Sequence, residues 1–392
     1  MCAERMEAVG TSFFGKGAIQ LLPQELKKRG GRRALIVTDK FLYESGMADT
    51  VGNVLLDSGL EYAIYYLVEP NPSAQIVNEC IEAAKVLDVD WFVALGGGSA
   101  IDTAKAASIV LGNGGKVEDY EGKDKSKNPG IPIVAVNTTA GTGSEVTTFY
   151  IITDDKTHSK MCMVDTNCKV SIAINDIDFM MSMPAHLSAA TGMDALTHGV
   201  EAILSKRATP FTDKDAYWAL STIQEYLPRA VANGGDEKAR EMMAYAQYAA
   251  GVAFSNAGLG MVHAMAHALG GVYNLPHGVC NAVLLPYVLE FNGEHAKLSK
   301  EFHTIAKTLG VSGAEEMSQK QNAVQVVQII RELSDKLGIA KNLKMLGVEE
   351  KDFTMLADLA LQDVCMADNR VFPNLQQVAK VYQNAYQGGT MS

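Results

Sequence analysis

WFVALGGGSAIDTAK, residues 91–105, starts as an apolar run rich in aromatic and aliphatic side chains, breaks on three glycines, and continues in a helix-forming composition. A buried strand that turns directly into a helix is the repeating unit of parallel α/β sheets. Gly96, Gly97 and Gly98 carry no Cβ, so backbone N–H groups there can approach a phosphate. The helix N-terminus behind them favours its charge. Ser99 offers a hydroxyl donor or a helix cap. The run is not G-x-G-x-x-G, so it lacks the usual dinucleotide fingerprint, and a tight turn that binds nothing is the plain alternative.

Moving outward, RRALIVTDK (32–40), EYAIYYLV (61–68) and PIVAVNTT (132–139) are further strand-like runs, with amphipathic stretches at Asp49–Ser58 and Ala74–Leu87. Their alternation predicts a parallel sheet with helices on both faces. FYIITDDKTHSKMCMVD (149–165) reads as a β-hairpin turning at Asp154–Asp155, and KVSIAIND (169–176) as another strand. A second polar cluster, NTTAGTGSEV (137–146), also ends a strand and offers the hydroxyls of Thr138, Thr139, Thr142 and Ser144. Ligands of open α/β sheets bind at the carboxyl ends of strands, so two such loops point to one shared ligand. Asp39 ends the first strong strand. A carboxylate there can accept hydrogen bonds from an adenosine ribose and repel a 2′-phosphate, although by itself an exposed turn aspartate is the plainer reading.

Past residue 185 or so the composition shifts to Ala, Leu, Met, Glu, Gln and Lys. Helical spacing recurs over Asp213–Leu227, Glu237–Phe254, Ala323–Leu337 and Leu375–Tyr386. The expectation is an α/β domain over 1–182 and an all-α domain over 183–392, consistent with 392 residues being too many for one ordinary core. A net charge of −11 argues against nucleic acid or anionic membrane as a partner. No apolar run reaches the roughly 18–20 residues a membrane span needs. MCAERMEAVG does not look like a signal peptide. The six cysteines form no C-x-x-C pair and read as reduced thiols, which fits a cytoplasmic location and makes thiolate-bound zinc a poor expectation.

The C-terminal half carries the strongest chemistry. TGMDALTHGVEA (191–202) sets Asp194 and His198 four residues apart. GMVHAMAHALGG (260–271) does the same for His263 and His267, and NLPHGVCNAV (274–283) adds His277. On a helix, residues i and i+4 share a face, so each pair can aim at one point. A carboxylate with three imidazoles suits Fe²⁺ or Zn²⁺. A lone helical histidine is more often a packing residue, but four of the eight histidines fall within 198–277, among Ala195, Gly199, Ala264, Ala266 and Gly270, where unpartnered imidazoles would be costly to bury. Five candidates exceed four ligands. The favoured set is Asp194, His198, His263 and His277, leaving His267 to line the cleft. His158, His186, His295 and His303 read as surface or structural.

GGGSAIDTAK, NTTAGTGSEVT, AATGMDALTHGVEA, GLGMVHAMAHALGG and LPHGVCNAVLLPYV together resemble the iron-containing (group III) alcohol dehydrogenase family, in its order and approximate spacing, from about Ser12 to Tyr386. The resemblance implies a Rossmann-like dinucleotide-binding domain, a helical metal-binding domain and a site in the cleft. It implies metal ligation by Asp194, His198, His263 and His277, and cofactor contacts from Gly96, Gly97, Gly98, Ser99, Asp102, Thr138, Thr139 and Ser144. Lys160 matches a lysine near the cofactor ribose, and Asp39 the acid of members that prefer NAD. His267 matches a histidine near the nicotinamide and is the candidate proton relay; Phe149 and Phe254 are candidate pocket walls. The activity implied is NAD-linked interconversion of a small alcohol or diol and its aldehyde, by a homodimer or larger oligomer. The family's Asn-Pro-Arg run is here CMADNRVFPNL (365–375), without the intervening proline, and that departure bears on substrate.

Three other readings compete. A related fold member with non-redox, dehydroquinate-synthase-like chemistry, or a polyol dehydrogenase of glycerol type, shares the fold; GMDALTHGVEA and His277 favour the alcohol dehydrogenase branch, with a reductase of a functionalised small aldehyde as the alternative. A metal-dependent hydrolase predicts no NAD binding. A non-catalytic assembly protein has no need of an intact ligand set.

Overall fold

The computed structural model describes residues 6–7, 10–157 and 159–388; Cys2 and His158 lie outside them. The chain divides into two compact units, Met1–Met183 and Pro184–Ser392.

The first unit runs β1 (Thr11–Phe14), α1 (Leu22–Lys28), β2 (Arg33–Asp39), α2 (Lys40–Glu44), α3 (Met47–Leu56), β3 (Glu61–Val68), α4 (Ala74–Leu87), β4 (Trp91–Gly96), α5 (Gly98–Asn113), β5 (Gly122–Lys123), β6 (Ile133–Asn137), β7 (Phe149–Thr153), β8 (Lys160–Val164) and β9 (Ile172–Asn175). Six strands form a sheet in the order β1-β9-β6-β4-β2-β3, with every pairing parallel. Alternate residues of one strand feed opposite layers, as period-two geometry requires. Leu35 and Val37 of β2 join Val77, Ile81, Ile101 and Ala104 of α4 and α5. Ala34 and Ile36 join Leu22, Leu26, Val51 and Leu55 of α1 and α3 on the other face. That two-sided burial explains the near-continuous apolar strands. The chain passes from β2 outward to β3, then crosses to β4 on the other side of β2, so the strand order reverses between β2 and β4. Asp39 and Gly96 end those two neighbouring strands. The predicted hairpin is β7–β8, antiparallel, and belongs with β5 to a separate three-stranded sheet.

The second unit is helical: α6 (Ala185–Leu204), α7 (Pro210–Ala232), α8 (Glu237–Ala257), α9 (Met261–Tyr273), α10 (His277–Gly293), α11 (Ser299–Thr308), α12 (Gln319–Lys336), α13 (Phe353–Gln362) and α14 (Leu375–Gln387). Helix α6 is buried without a break from Ser188 to Leu204, the mark of a central helix rather than an amphipathic one. Gly192 and Gly199 make its approach to α7 possible: an added Cβ would stand 2.2 Å from Leu227 and 2.4 Å from Leu220 respectively. Helix α9 ends on Asn274 in the left-handed region, and Pro276 precedes the first residue of α10, His277. None of the described helices is long and apolar enough to cross a membrane.

Candidate functional site

In the first unit, β4 ends on Gly96 at φ 153°, Gly97 is the N-cap of α5, and the helix begins at Gly98. Ser99 therefore sits inside the first turn and does not cap the helix, correcting that alternative. The hydroxyl loop folds against this turn. A Cβ on Gly97 would lie 2.8 Å from Thr139, and one on Gly98 would lie 3.1 Å from Thr142. The Thr138 backbone N–H donates to the Gly96 carbonyl at 3.1 Å, and Thr142 Oγ1 accepts from the Ser144 N–H at 3.3 Å. The two loops singled out in the sequence thus form one cradle.

Lys105, unremarked in the sequence, holds the cradle from beneath. Its fully buried Nζ donates to the carbonyls of Ser144 (2.7 Å), Thr147 (3.0 Å) and Phe149 (2.7 Å), and to Ser144 Oγ (3.0 Å). Ser144 Oγ in turn donates to Asp102 at 2.7 Å, and Asp102 also accepts from the Ile151 N–H at 3.0 Å. Burial pushes the Asp102 carboxyl above the usual carboxylate range despite the pull of Lys105 and these hydrogen bonds. Asp102 and Ser144 are thus engaged within the protein, and their polar groups brace the loop. Asp39 caps α2, its Oδ1 accepting from the Leu42 N–H at 2.9 Å. Lys160 Nζ donates to Thr153 Oγ1 across the hairpin at 3.1 Å. Phe149 opens β7, half-buried.

In the second unit, α6, α9 and α10 bring Asp194, His263 and His277 together, their ligand atoms all within 4.8 Å of one another, and His198 approaches the group at Asp194. Asp194 Oδ1 lies 3.8 Å from His198 Nε2, 3.7 Å from His263 Nε2 and 3.6 Å from His277 Nε2. A divalent ion about 2.0–2.2 Å from each donor fits such spacings. Burial alone would raise the Asp194 carboxyl, but the imidazoles of His198, His277 and His263 outweigh it and hold the carboxyl far below its usual range. Burial likewise opposes a charge on His263, yet Asp194 and Glu201 carry its pKa up to about 9. For His277 burial wins, aided by repulsion from the other histidines, and its pKa falls well below the ordinary value. Phe254 stacks on His198 at 4.2 Å between ring centroids. His267 stands apart from the four: its Nδ1 is 2.8 Å from Asp363 Oδ2, and its ring stacks on His277 at 5.2 Å. Three of the four favoured candidates, Asp194, His263 and His277, thus form one compact group, His198 meets it at Asp194, and His267 has its own partner.

A match to the family described as iron-containing alcohol dehydrogenase covers residues 10–177, and one to its C-terminal domain covers 188–386. This chain belongs to the iron-containing alcohol dehydrogenase family. It is 43% identical to the NAD-dependent methanol dehydrogenase of Bacillus methanolicus, over 95% of this chain and 97% of that one. It is 40% identical to the lactaldehyde reductase of Escherichia coli K12, over 98% and 100%. The crystal structure of a 1,3-propanediol oxidoreductase superposes with a TM-score of 0.94 at 42% identity, covering 98% of this chain and all of that one. As a member of this family the chain is an oxidoreductase, and its Rossmann-like sheet followed by a helical unit is the family's architecture.

Three polar residues of the helical unit escaped the sequence reading. Glu201 accepts from His263 Nδ1 at 2.6 Å. Asn281 Nδ2 donates to Asp194 Oδ1 at 2.6 Å and lies 3.0 Å from His277 Nε2. Asp363 holds His267. The first two were within reach of the spacing rule, since Glu201 is seven residues past Asp194 and Asn281 four past His277. Asp363 comes 96 residues after His267 and carries no local signal. In the segment lacking the family proline, Asn369 Oδ1 accepts from the Met261 N–H at 3.3 Å, and Arg370 donates to the Ser205 carbonyl.

Proposed function

We propose that the protein interconverts a small primary alcohol or diol and its aldehyde, using NAD and a divalent metal held by Asp194, His198, His263 and His277. The observation that carries this reading is the meeting of one carboxylate and three imidazole nitrogens within 3.8 Å of Asp194 Oδ1, in a helical interior where such groups are costly to bury unpartnered. When bound, the metal supplies Lewis-acid stabilisation of negative charge on oxygen and NAD supplies the hydride acceptor. The ligand set suits iron or zinc, and the family favours iron.

The chain's own residues do the rest. The N–H groups of the Gly96–Gly98 turn, with Thr138, Thr139 and Thr142, receive the pyrophosphate. Asp102, Ser144 and Lys105 keep those loops in register. Lys160 serves the ribose side, and Asp39, at the end of β2, repels a 2′-phosphate and so selects NAD. Asp363 accepts from His267 Nδ1, which leaves His267 Nε2 as the atom that takes or returns the hydroxyl proton, directly or through water. Phe254, fixed on His198, and Phe149 wall the substrate space. A reductase for a hydroxylated aldehyde is the nearest second reading, supported by the lactaldehyde reductase among its relatives. A cytoplasmic homodimer or larger oligomer completes the proposal, supported by five buried cysteines free of disulfides among the described residues and by the family likeness.

The test is NADH formation by protein loaded anaerobically with Fe²⁺ or Zn²⁺, across small alcohols, diols and hydroxyaldehydes, with NADP as control and light scattering for the assembly. Metal-dependent turnover with NAD is expected. Absence of both turnover and calorimetric NAD binding would leave the hydrolase or structural alternatives.

A further inference from the structure

We propose that Glu201 is a positioning residue for the metal centre: it keeps the His263 proton on Nδ1, aims Nε2 at the metal, and locks the first turn of α9 to α6. The inference rests on the metal-centre reading above.

The two nitrogens of His263 face opposite partners. Nε2 lies 3.1 Å from Asn281 Nδ2 and 3.7 Å from Asp194 Oδ1, on the side of the candidate metal, while Nδ1 lies 2.6 Å from Glu201 Oε2. A carboxylate can only accept. When a metal displaces one proton from the ring, the proton that remains is therefore the one at Nδ1, and the Nε2 lone pair is free for coordination.

The same carboxylate holds the backbone that carries His263. Oε1 accepts from the Val262 N–H at 2.6 Å, and Oε2 accepts from the Gly260 N–H at 3.0 Å. These are N-terminal donors of α9 that the helix itself leaves without partners, and a negative group there also favours the helix dipole. Glu201 is 3% exposed, and it sits on α6 at i+7 from Asp194 and i+3 from His198. One face of α6 thus presents two candidate ligands and the group that orients a third. Gly260 leaves the room this needs, because a Cβ there would stand 2.9 Å from Glu201 Oε1.

Glu201→Leu removes every acceptor from Nδ1, and Glu201→Gln serves as its control, because an amide oxygen turned to Nδ1 still accepts there and from the Gly260 N–H while only the Val262 bond is lost. In calorimetric Zn²⁺ titrations of metal-free protein with a competing chelator, Glu201→Leu is expected to bind about 10–100-fold more weakly than wild type, and Glu201→Gln to recover most of that loss. The melting temperature of the metal-free protein should fall in both variants through the lost helix-cap bonds, so the affinity ratio between the two variants is the readout of the tautomer. Gly260→Ala, which crowds the carboxylate, should weaken binding in the same direction. A crystal structure of the Zn²⁺-loaded wild type, which needs no variant to fold, should keep Nδ1 on Glu201 and Nε2 on the metal. Unchanged Zn²⁺ affinity in Glu201→Leu, with or without a lower melting temperature, overturns the proposal, as does a loaded structure in which Nδ1 has left Glu201. A wild-type protein that takes up no Zn²⁺ or Fe²⁺ overturns the metal-centre reading as well, so the two failures are distinct.

Discussion

Under the proposed function, the glycine cradle of the first unit and the histidine centre of the second would solve the same problem, holding a charged ligand, with opposite materials. The cradle is made of backbone. Its glycines are there for what they lack, and its working groups are N–H donors and short hydroxyls whose positions depend on loops braced by Lys105. The centre is made of side chains on three helices, so its geometry follows from helical spacing and from carboxylates and amides behind the ligands. A backbone site is therefore vulnerable at its bracing, and a side-chain site at its ligands.

The sharpest break should come at the ligands. Asp194→Ala or His263→Ala is expected to lose bound metal, measured by elemental analysis, and to lower activity by more than the ~100-fold typical of an outer-shell change. The isolated effect on NAD binding should be small, and retained metal with full activity would sink the assignment.

At the cradle the counterpart is Lys105→Met. It leaves three carbonyls and Asp102 without their cation in the interior, and is expected to cost about 3–5 kcal/mol in denaturant unfolding. Lys105→Arg should recover part of this. A neutral outcome would mean that the loop stands without its brace.

Gly97→Ala is milder, because the new Cβ meets Thr139 at 2.8 Å and the loop must give way. About 1–3 kcal/mol should appear as a raised KM for NAD with metal content unchanged. A fall in metal content instead would break the distinction between the two regions.

The most gradual effect is one of pH. His263 in the metal-free protein holds its proton up to about pH 9, so metal uptake near neutrality must displace that proton. Affinity should therefore rise with pH, by up to about tenfold per unit for one proton, and level off above pH 9. Calorimetry at several pH values checks it, and a pH-independent affinity between pH 6 and 8 would show that His263 is not the proton donor.

The contrast also explains what could be read without coordinates. The strand-to-helix break at residues 91–105 and the apolar runs around it gave the parallel sheet, and the pairs Asp194/His198 and His263/His267 gave the centre, because both periodicities are printed in the chain. Glu201 and Asn281 obeyed the same spacing yet passed unread, since Glu and Asn are ordinary helix-surface residues until burial makes them otherwise. Lys105 left one faint sign, the lone charge in TAKAASIVLGNGG (103–115). Helices α11 and α13 also went unread.

By itself, then, the sequence determined the α/β and helical halves, the glycine turn and the face on which each metal-binding candidate lies, all of which are local consequences of repeat distance and side-chain type. The sequence reading already sets His267 aside; only tertiary structure supplied the partner that holds it there. His267 shares a helix face with His263, but Asp363, distant in the chain, claims its Nδ1, while His277 at the start of the next helix closes on Asp194. Contacts of that kind depend on how separate elements pack, and no periodicity within one element encodes them.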